Sequence, residues 1–308
     1  MPHIFITGAT GLVGSATVDE LINHGHKITA LARSDESARK LESKGVKVIR
    51  GGLTDFETLK QAAGDPSIDG VIHLAFVHNF DEYTQASELD VLAIKALGEP
   101  LEGTNKPFIV SSAVGGLDIE SDDGVATESD LPNPAFPRKS EKTALELSSK
   151  GVTAISIRLP PTVHAGQHDK GFIRILINSA IKNKKVVYVE PSHWSAVHVS
   201  DAAKAYRLAF EAGLKGKSGI YHAVAEGNIP FKDIAEAIAK KTNAEAELKS
   251  VEDAAQYITF LAHFGLLFKP TSSEKTKAEL GWQPTGLSLL DDINQHYDGT
   301  SIRDSFAN

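Results

Sequence analysis

The chain has 308 residues, enough for one large α/β domain and a smaller one, and its 41% hydrophobic and 23% charged residues are typical of an ordinary globular protein. A formal net charge of −8 gives neither a nucleic acid nor an anionic membrane the basic surface it would need, so neither partner is expected. The absence of cysteine excludes disulfides, thiolate catalysis and cysteine-based zinc sites. With no apolar run near 18 residues and no recognisable signal peptide, we expect a cytoplasmic protein without a membrane span.

The first half alternates short apolar runs with amphipathic stretches, a pattern that predicts strand–helix units around a parallel sheet covered on both faces. Predicted strands occupy residues 4–7, 27–32, 46–50, 70–75, 107–111 and 153–159. Predicted helices occupy 14–23, 36–44, 56–63, 87–97 and 139–149. Asp55 is expected to cap the third helix, and Gly45 to end the second in the left-handed conformation. These repeats predict a doubly wound α/β fold.

The pattern is less regular after Pro160 and Pro161. Predicted helices occupy 172–183, 202–211, 231–241, 254–267, 273–280 and 287–296, and predicted strands occupy 186–189, 194–199 and 219–224. We therefore expect a nucleotide-binding domain at 1–163 and a smaller mixed substrate lobe at 164–308, with some exchange of elements between them. The proline-rich stretch 131–137 is the one linker-like segment, and it lies inside the first domain.

A glycine-rich turn, TGATGLVG at positions 7–14, separates the first strand from the first helix. Gly8 and Gly11 would relieve crowding where the chain reverses, and Gly14 would let the helix approach the sheet. The helix N-terminus then offers free N–H groups and partial positive charge to a pyrophosphate. At the first junction of a repeated strand–helix array, this pattern predicts a dinucleotide site; the alternative is a tight turn without a ligand.

The G-x-x-G-x-x-G spacing resembles the TGxxGxxG motif of the short-chain dehydrogenase/reductase superfamily, in its extended, epimerase-like branch. Further segments resemble that branch in order and spacing: LTD at 53–55 near adenine, HLA at 73–75 beside the cofactor, RLPP at 158–161 near nicotinamide, and VHVSDAA at 197–203 in the second lobe. The resemblance spans positions 7–203 and implies a Rossmann fold that binds a nicotinamide dinucleotide. The expected cofactor contacts are Gly8, Thr10, Gly11, Leu12, Val13, Gly14, Arg33, Ser34, Leu53, Leu74, Ala75, Phe76, Ser111 and Pro160.

The end of the second strand bears on the choice of dinucleotide. An acidic residue there normally binds the ribose 2′-OH of NAD, whereas an arginine suits the 2′-phosphate of NADP. Here Ala32 occupies the acidic position and Arg33 follows it. A planar guanidinium can bind a phosphate through two hydrogen bonds, so NADP is expected and NAD remains possible. The alternative is that Arg33 is a solvated surface charge.

The catalytic positions depart from the pattern of the family. Most relatives combine a serine with a Y-x-x-x-K helix, in which tyrosine transfers the proton and lysine lowers its pKa and binds ribose. Ser112 is the expected serine. The expected tyrosine and lysine positions are Arg138 and Lys142 in one register, or Pro137 and Glu141 in another, so neither register supplies a tyrosine. Arg138 could polarise a carbonyl or hold a carboxylate, because arginine stays protonated.

Other side chains could replace the missing proton donor. Tyr188, His164 and the pair His193-Trp194 belong to the predicted substrate lobe, and each could instead be a packing or surface residue. Phe76, Phe80 and Tyr83 follow the fourth strand and either line the substrate cleft or pack there. His164 and His168 have the spacing of a metal pair, but Gly166 argues against the helix that such a pair needs, so no metal is expected.

Four functions are consistent with this pattern. The first is an NADP(H)-dependent oxidoreductase acting on a small carbonyl or alcohol with an unconventional proton donor. The others are a non-catalytic, redox-sensing NADP-binding protein, a nucleotide-sugar epimerase or dehydratase, and, most remotely, a Rossmann-like methyltransferase. A small-molecule substrate is expected in the lobe. The chain is expected to be a monomer or a homodimer; the resemblance implies that a dimer would pair through helices including 139–149.

Overall fold

Seven parallel strands form the central sheet of the computed structural model, which describes residues 1–77, 82–121 and 123–299. Up to the sixth strand of this sheet the elements are β1 (His3–Thr7), α1 (Leu12–Asn23), β2 (Lys27–Ala32), α2 (Asp35–Glu42), β3 (Lys47–Arg50), α3 (Phe56–Ala63), β4 (Gly70–His73), α4 (Tyr83–Gly98), β5 (Pro107–Ala113), β6 (Leu117–Asp118), β7 (Leu131–Pro132), α5 (Ser140–Glu146) and β8 (Thr153–Leu159). Short 3₁₀ turns at Glu99–Leu101 and Leu147–Lys150 extend α4 and α5.

The remaining elements are β9 (Thr162–His164), α6 (Phe172–Asn183), β10 (Lys185–Tyr188), β11 (His193–His198), α7 (Val199–Gly213), β12 (Gly219–His222), β13 (Glu226–Pro230), α8 (Phe231–Thr242), β14 (Glu245–Leu248), α9 (Val251–Ile258), α10 (Leu261–Phe264), α11 (Glu274–Leu280) and α12 (Leu289–His296). Two more 3₁₀ turns lie at Gly166–His168 and Gly265–Leu267. Within the described ranges, no helix combines the length and the apolar composition that a membrane span requires.

The strand order is β3-β2-β1-β4-β5-β8-β12, with every neighbouring pair parallel. The chain runs outward from β1 to β3 and then returns to place β4 on the other side of β1. Such a reversal opens a crevice at the carboxyl ends of the two diverging strands. The predicted doubly wound parallel sheet, a Rossmann fold, is confirmed, and this crevice is where its ligand site is expected.

Side chains alternate across the sheet and form two separate cores. Ile4, Ile6 and Ile109 face one core with α1 and α7, while Phe5 and Phe108 face the other with α3, α4 and α5. Burial on both faces explains why the strands are continuous apolar runs rather than alternating ones. The two faces also fix which polar residues can meet at the carboxyl edge.

A third core fills the C-terminal lobe, where Trp194 and Phe231 pack with residues of α6, α8, α9 and α12. The lobe contains the pair β10-β14 and the sheet β13-β11-β9. Residues of α7 and β12, although later in sequence than residue 163, lie with the central sheet. The division of the chain at 163 stays a prediction, and the elements that cross it include α7, β12 and α11, whose Leu280 packs in the core of the central sheet.

Two local predictions are wrong. The single helix expected at 254–267 is interrupted at Thr259, whose φ of 49° is not helical, so α9, α10 and a 3₁₀ turn replace it. Asp55 does not cap α3 with its side chain; its carboxylate instead accepts a hydrogen bond from Gly52 N at 2.6 Å. Gly45 does take the left-handed conformation, with φ of 76°, shortly after α2.

Candidate active site

The glycine turn brings β1, α1 and the end of β4 into backbone contact. Gly8 has φ of 74°, and a Cβ atom built on it would lie 2.6 Å from the backbone nitrogen of Ala75. A Cβ atom on Gly14 would lie 2.0 Å from the carbonyl oxygen of Gly8. Since backbone cannot yield at such distances, only glycine allows this approach.

The first turn of α1 is arranged to receive an anion. Gly11 precedes the helix in an extended conformation, no side chain caps the helix, and its first turn contains no acidic residue. The leading amides, including those of Leu12 and Val13, therefore have no partner within the helix. Apart from its chain neighbours, the only described atom within 4 Å of a Cβ atom on Gly11 would be Gly8 O, at 3.3 Å. These features fit the pyrophosphate of a dinucleotide.

A chain of buried hydrogen bonds runs from this turn across the carboxyl end of the sheet. Thr7 Oγ1 pairs with His73 Nδ1 at 2.6 Å, and His73 Nε2 pairs with Asp90 Oδ1 at 3.1 Å. Ser140 at the start of α5 donates to the second oxygen of Asp90. Burial alone would raise the pKa of Asp90, but hydrogen bonds from His73 and Ser140 and the charge of Arg138 lower it. The turn, β4, α4 and α5 are thus tied together by one ionised carboxylate.

Arg138 continues this chain toward the crevice. Its Nε donates to Ser140 Oγ at 3.0 Å, and its Nη2 donates to the carbonyl oxygen of Ser111 at 2.8 Å. The guanidinium carbon lies 4.3 Å from the ring centroid of Phe76, just beyond β4, in a cation–π contact. A permanent positive charge is therefore held, partly buried, at the carboxyl ends of β4 and β5.

The two serines at the end of β5 differ in their bonding. Ser111 uses its hydroxyl within the protein, donating to His73 O at 3.2 Å and pairing with the hydroxyl of Tyr206 at 2.7 Å. Burial raises the pKa of Tyr206, which keeps that phenol neutral. Ser112 points to the opposite face of the sheet, as alternation requires, and its hydroxyl makes no hydrogen bond to any other described residue. The two serines are buried to a similar degree, and Ser112 is the one whose hydroxyl is not already used by another described residue.

Aromatic side chains surround the guanidinium of Arg138. The ring of Tyr83, at the start of α4, lies 5.8 Å from the ring of Phe76 and 6.2 Å from that of Phe136. Burial raises the pKa of Tyr83, while the nearby positive charge of Arg138 opposes that rise. Phe80, which the sequence also suggested for the cleft, lies outside the described residues.

The two registers proposed for the family's lysine place it very differently. Lys142 is exposed on the outer side of α5. Glu141 is buried, and its carboxylate accepts from Arg158 Nη2 at 2.6 Å, from Arg158 Nε at 2.8 Å and from Ser156 Oγ at 2.7 Å. Arg158, expected near the nicotinamide as part of the RLPP segment, is itself fully buried. Neither Lys142 nor Glu141 is joined to Arg138 or Ser112 by a contact among the described residues.

Basic residues gather where β2 and β3 end. Arg33 is exposed, and Ser34 caps α2 by accepting a hydrogen bond from Ser37 N at 3.2 Å. Arg50, paired with Ala32 in the sheet register, donates to the carbonyl oxygen of Ser34 and forms an ion pair of 2.6 Å with Asp35. Arg50 was not predicted from the sequence; the available signal was a basic residue at the end of the strand next to β2.

The other expected cofactor contacts lie along the same edge or close to it. Leu74 and Ala75 follow β4, and Ala75 N donates to Thr7 Oγ1 at 3.4 Å. Leu53 is half-buried against the core beneath α3, Pro160 is buried directly after β8, and Thr10 is exposed on the turn.

The lobe residues suggested as proton donors have other partners. Tyr188 is buried in the lobe core with its ring 6.4 Å from that of Phe231. His193 Nδ1 pairs with Asn228 Oδ1 at 2.7 Å, and Trp194 is buried. Among the described contacts of these residues, none reaches Ser112 or Arg138. The structure therefore does not bring them together with the candidate site at the carboxyl ends of β4 and β5.

His168 lines a different feature, a cavity of about 330 Å³ between the 3₁₀ turn Gly166–His168 and α12, and His164 lies next to it. His164 is fully buried behind it and pairs with Asp292 at 2.7 Å, whereas His168 is exposed in a 3₁₀ turn rather than a helix. In the ranges that the structure describes, no group of three or more histidine, cysteine or acidic side chains is arranged to hold a metal ion.

The fold and the glycine turn define a dinucleotide-binding protein of the extended short-chain dehydrogenase/reductase type. Residues 4–223 match the NAD dependent epimerase/dehydratase family, and the chain belongs to that family. The resemblance inferred from the sequence is confirmed.

Two similar proteins and one solved structure illustrate this relationship. The uncharacterized protein YLL056C of Saccharomyces cerevisiae is 43% identical over 303 residues, covering 96% of this chain and 98% of its own. A 4-hydroxy-2-methyl-3-oxo-4-farnesyl-3,4-dihydroquinoline-1-oxide ketoreductase of Stigmatella aurantiaca is 26% identical over 224 residues, covering 69% of this chain and 66% of its own. The UDP-glucose 4-epimerase of Thermus thermophilus, solved in complex with NAD, shares the fold with a TM-score of 0.71 and 20% identity, covering 96% of this chain and 97% of its own.

Proposed function

We propose that this protein is an NADP(H)-dependent oxidoreductase that interconverts a small carbonyl compound and the corresponding alcohol. The observation that carries the proposal is the combination of an uncapped, glycine-lined helix N-terminus with a free serine hydroxyl and a fixed cation at the adjacent strand ends. When bound, the reduced nicotinamide supplies a hydride. The residues of this chain would bind the pyrophosphate, orient the substrate oxygen and stabilise the charge that develops on it.

The cofactor would lie across the crevice between β1 and β4. Its pyrophosphate would contact the amides that begin α1, and its adenine half would extend toward β2 and β3. The 2′-phosphate would meet Arg33, because no carboxylate ends β2 and because Asp35 is already neutralised by Arg50. This arrangement supports a preference for NADP over NAD.

The substrate oxygen would lie between Ser112 and Arg138. The Ser112 hydroxyl can donate a hydrogen bond to a carbonyl oxygen, and the guanidinium would stabilise the oxyanion as the hydride arrives. The name of the Stigmatella relative, a ketoreductase, is consistent with this chemistry. We assign Ser112 and Arg138 to the substrate, and we place neither Tyr188 nor Lys142 at the reacting atoms.

A nucleotide-sugar epimerase is the second candidate, because the structurally similar Thermus protein has that name. Epimerisation needs a base that removes a hydroxyl proton and returns it. Residues 131–150, which include α5, contain no tyrosine, so the tyrosine of the Y-x-x-x-K pair that would serve as this base is missing, and the arginine that replaces it is a poor base. This difference favours the reductase.

The test is to purify the protein without added cofactor and titrate it by calorimetry with NADPH and NADH. NADPH consumption is then followed by its near-ultraviolet absorbance with aldehydes, ketones and quinones, and UDP-glucose is tested in parallel for conversion to UDP-galactose. Binding of NADPH in preference to NADH, together with loss of NADPH on a carbonyl substrate, supports the proposal. Failure of both dinucleotides to bind at millimolar concentration, or conversion of UDP-glucose alone, contradicts it.

A further inference from the structure

A carbonyl that receives a hydride must also receive a proton, and no residue of the candidate site has yet been assigned as the proton donor. The chain has six tyrosines, and five of them have other roles or lie elsewhere in the fold. Tyr206 pairs with Ser111 beneath the sheet, Tyr221 with Glu279, and Tyr297 with Asp169. Tyr188 lies in the lobe core and Tyr257 in α9, so both are distant in topology from the sheet edge.

Tyr83 is the exception. It begins α4, and its ring lies between those of Phe76 and Phe136, next to the carboxyl ends of β4 and β5. The guanidinium of Arg138 lies over the ring of Phe76, 4.3 Å from its centroid, and its positive charge acts on the Tyr83 phenol. A phenol and a permanent cation thus flank the same ring, that of Phe76, at the carboxyl end of the sheet, where Ser112 lies near the end of β5.

This juxtaposition has the chemistry that carbonyl reduction requires. An acid is effective when its O–H proton is retained at neutral pH and its conjugate base is stabilised during transfer. Burial keeps the Tyr83 phenol neutral, and the adjacent guanidinium stabilises phenolate as it forms. Arg138 cannot itself act as the acid, because a guanidinium does not release its proton in proteins.

We propose that Tyr83 is the proton donor of the proposed reductase and that Arg138 is the residue that positions Tyr83 and stabilises its phenolate. The carbonyl carbon gains a hydride from the reduced nicotinamide dinucleotide, and its π electrons move to oxygen. The O–H bond of Tyr83 breaks as its proton passes to that oxygen, and the phenolate held by Arg138 regains a proton from water. The inference rests on the proposed function, and it replaces a tyrosine–lysine pair on one helix by a tyrosine of α4 and an arginine that precedes α5.

A chain of buried hydrogen bonds fixes the position of Arg138 and thereby restricts the movement of Arg138 relative to Tyr83. Ser140 and Asp90 link the guanidinium to His73 and thereby to the cofactor turn at Thr7. Because these hydrogen bonds are buried, Arg138 is held in one position. It therefore keeps Tyr83 at a fixed distance from the dinucleotide site. The cation and the cofactor turn are therefore placed by the same hydrogen-bond chain.

The decisive variant is Tyr83→Phe, which keeps the ring between its neighbours and removes only the hydroxyl. We expect kcat for the carbonyl substrate to fall by about 100-fold or more, while KM for NADPH and the melting temperature stay close to those of the parent protein. Tyr257→Phe, a matched change in α9, is the control and should leave kcat within about twofold. A Tyr83→Phe protein that keeps kcat within about threefold of the parent overturns the inference and leaves the proposed reductase standing.

A second measurement does not depend on turnover. In protein labelled with ¹³Cζ-tyrosine, the resonance that Tyr83→Phe removes reports the ionisation of Tyr83. Arg138→Gln should raise the pKa of Tyr83 by about one unit, and Arg138→Lys should restore part of the difference. If Arg138→Gln does not change the Tyr83 titration, the pairing is absent and the inference fails. If the parent protein binds NADPH but reduces no carbonyl, the proposed function fails, and the donor role of Tyr83 fails with it.

Discussion

Arg138 and Arg158 both pack beside α5, and the difference between them separates structure from candidate chemistry. Arg158 is fully buried and hydrogen-bonds to Glu141, to two backbone carbonyls and to His222 Nε2 at 3.2 Å. Burial, helped by the charge of Arg158, lowers the pKa of His222 to about 4, so this imidazole is neutral at pH 7 and accepts the bond. The Arg158 cluster is closed, with its donors bonded inside the protein.

Arg138 lies in an open cluster. Its bonds to Ser111 and Ser140 fix its position, but the guanidinium is only partly buried and lies over the ring of Phe76 at the strand ends. Closed clusters of buried charge mainly affect folding, because losing one partner leaves the other buried and unpaired. Open clusters should affect ligands more than folding. This contrast predicts which substitutions change stability and which change binding.

The largest effect is expected in the closed cluster. Arg158→Met should lower the free energy of unfolding by about 3–5 kcal/mol, because it leaves the carboxylate of Glu141 buried without its charged partner. Urea denaturation followed by circular dichroism measures the change. Lys150→Met, which removes an exposed ion pair with Glu102, is the control and should be indistinguishable from the parent. A loss below about 1 kcal/mol for Arg158→Met would show that the cluster is not the stabilising contact its burial implies.

Asp292, in the C-terminal lobe, is a second buried carboxylate with hydrogen-bond partners inside the protein. Its contribution to the free energy of unfolding depends on pH. Burial raises its pKa, but hydrogen bonds from His164, Gly166 N and His296 outweigh burial and lower the pKa to about 2. A depressed carboxyl pKa stabilises the fold above the unfolded value near 4, and this stability disappears as the pH falls toward 2. Asp292→Asn should therefore cost about 1–2 kcal/mol at pH 7 and much less at pH 2.5.

The matched control for Asp292→Asn is its exposed neighbour, changed as Asp291→Asn. Urea unfolding of both variants at the two pH values makes the comparison. An equal cost of Asp292→Asn at pH 7 and pH 2.5 would mean that its charge is not what stabilises the contact with His164.

Arg33 belongs to the open edge, so its loss should change binding and not folding. Arg33→Ala should weaken NADPH about tenfold, or about 1.4 kcal/mol, and leave NADH and the melting temperature nearly unchanged. Calorimetric titration measures both affinities. Lys40→Ala, which removes an exposed cation from the nearby helix α2, is the control. Equal losses for NADPH and NADH would show that Arg33 contacts the shared part of the dinucleotides rather than the 2′-phosphate.

The smallest effect is expected at Lys142. Because this lysine is exposed on α5, Lys142→Ala should change KM for NADPH less than about twofold and should not alter stability measurably. Steady-state kinetics at saturating substrate test it. A tenfold rise in KM would instead assign Lys142 to the ribose. That role is the one implied by the alignment in which Arg138 and Lys142 occupy the tyrosine and lysine positions of the family's Y-x-x-x-K pattern.

Much of the fold and of the cofactor edge was predictable from the sequence. Strand–helix alternation is a local pattern, and the bounds of α3, α6 and β8 agree residue for residue with the periodicity. The glycine turn was recognisable because a steric requirement leaves only one residue type at Gly8 and Gly14. The break at Thr259 was not predictable, since its positive φ reflects the packing of the lobe rather than any local breaker.

The catalytic side of the site shows where sequence reasoning stops. The sequence alone determined that residues 131–150 hold no tyrosine, that Arg138 and Lys142 are the charged candidates, and that the chain forms a doubly wound sheet. Only the tertiary structure decided that Arg138 turns inward onto Phe76 and Tyr83 while Lys142 points outward. The physical reason is that local propensities and steric rules act between near neighbours in the chain. A partnership such as that of Tyr83 with Arg138 instead depends on how two helices far apart in the chain are bound to the same strand ends through Asp90.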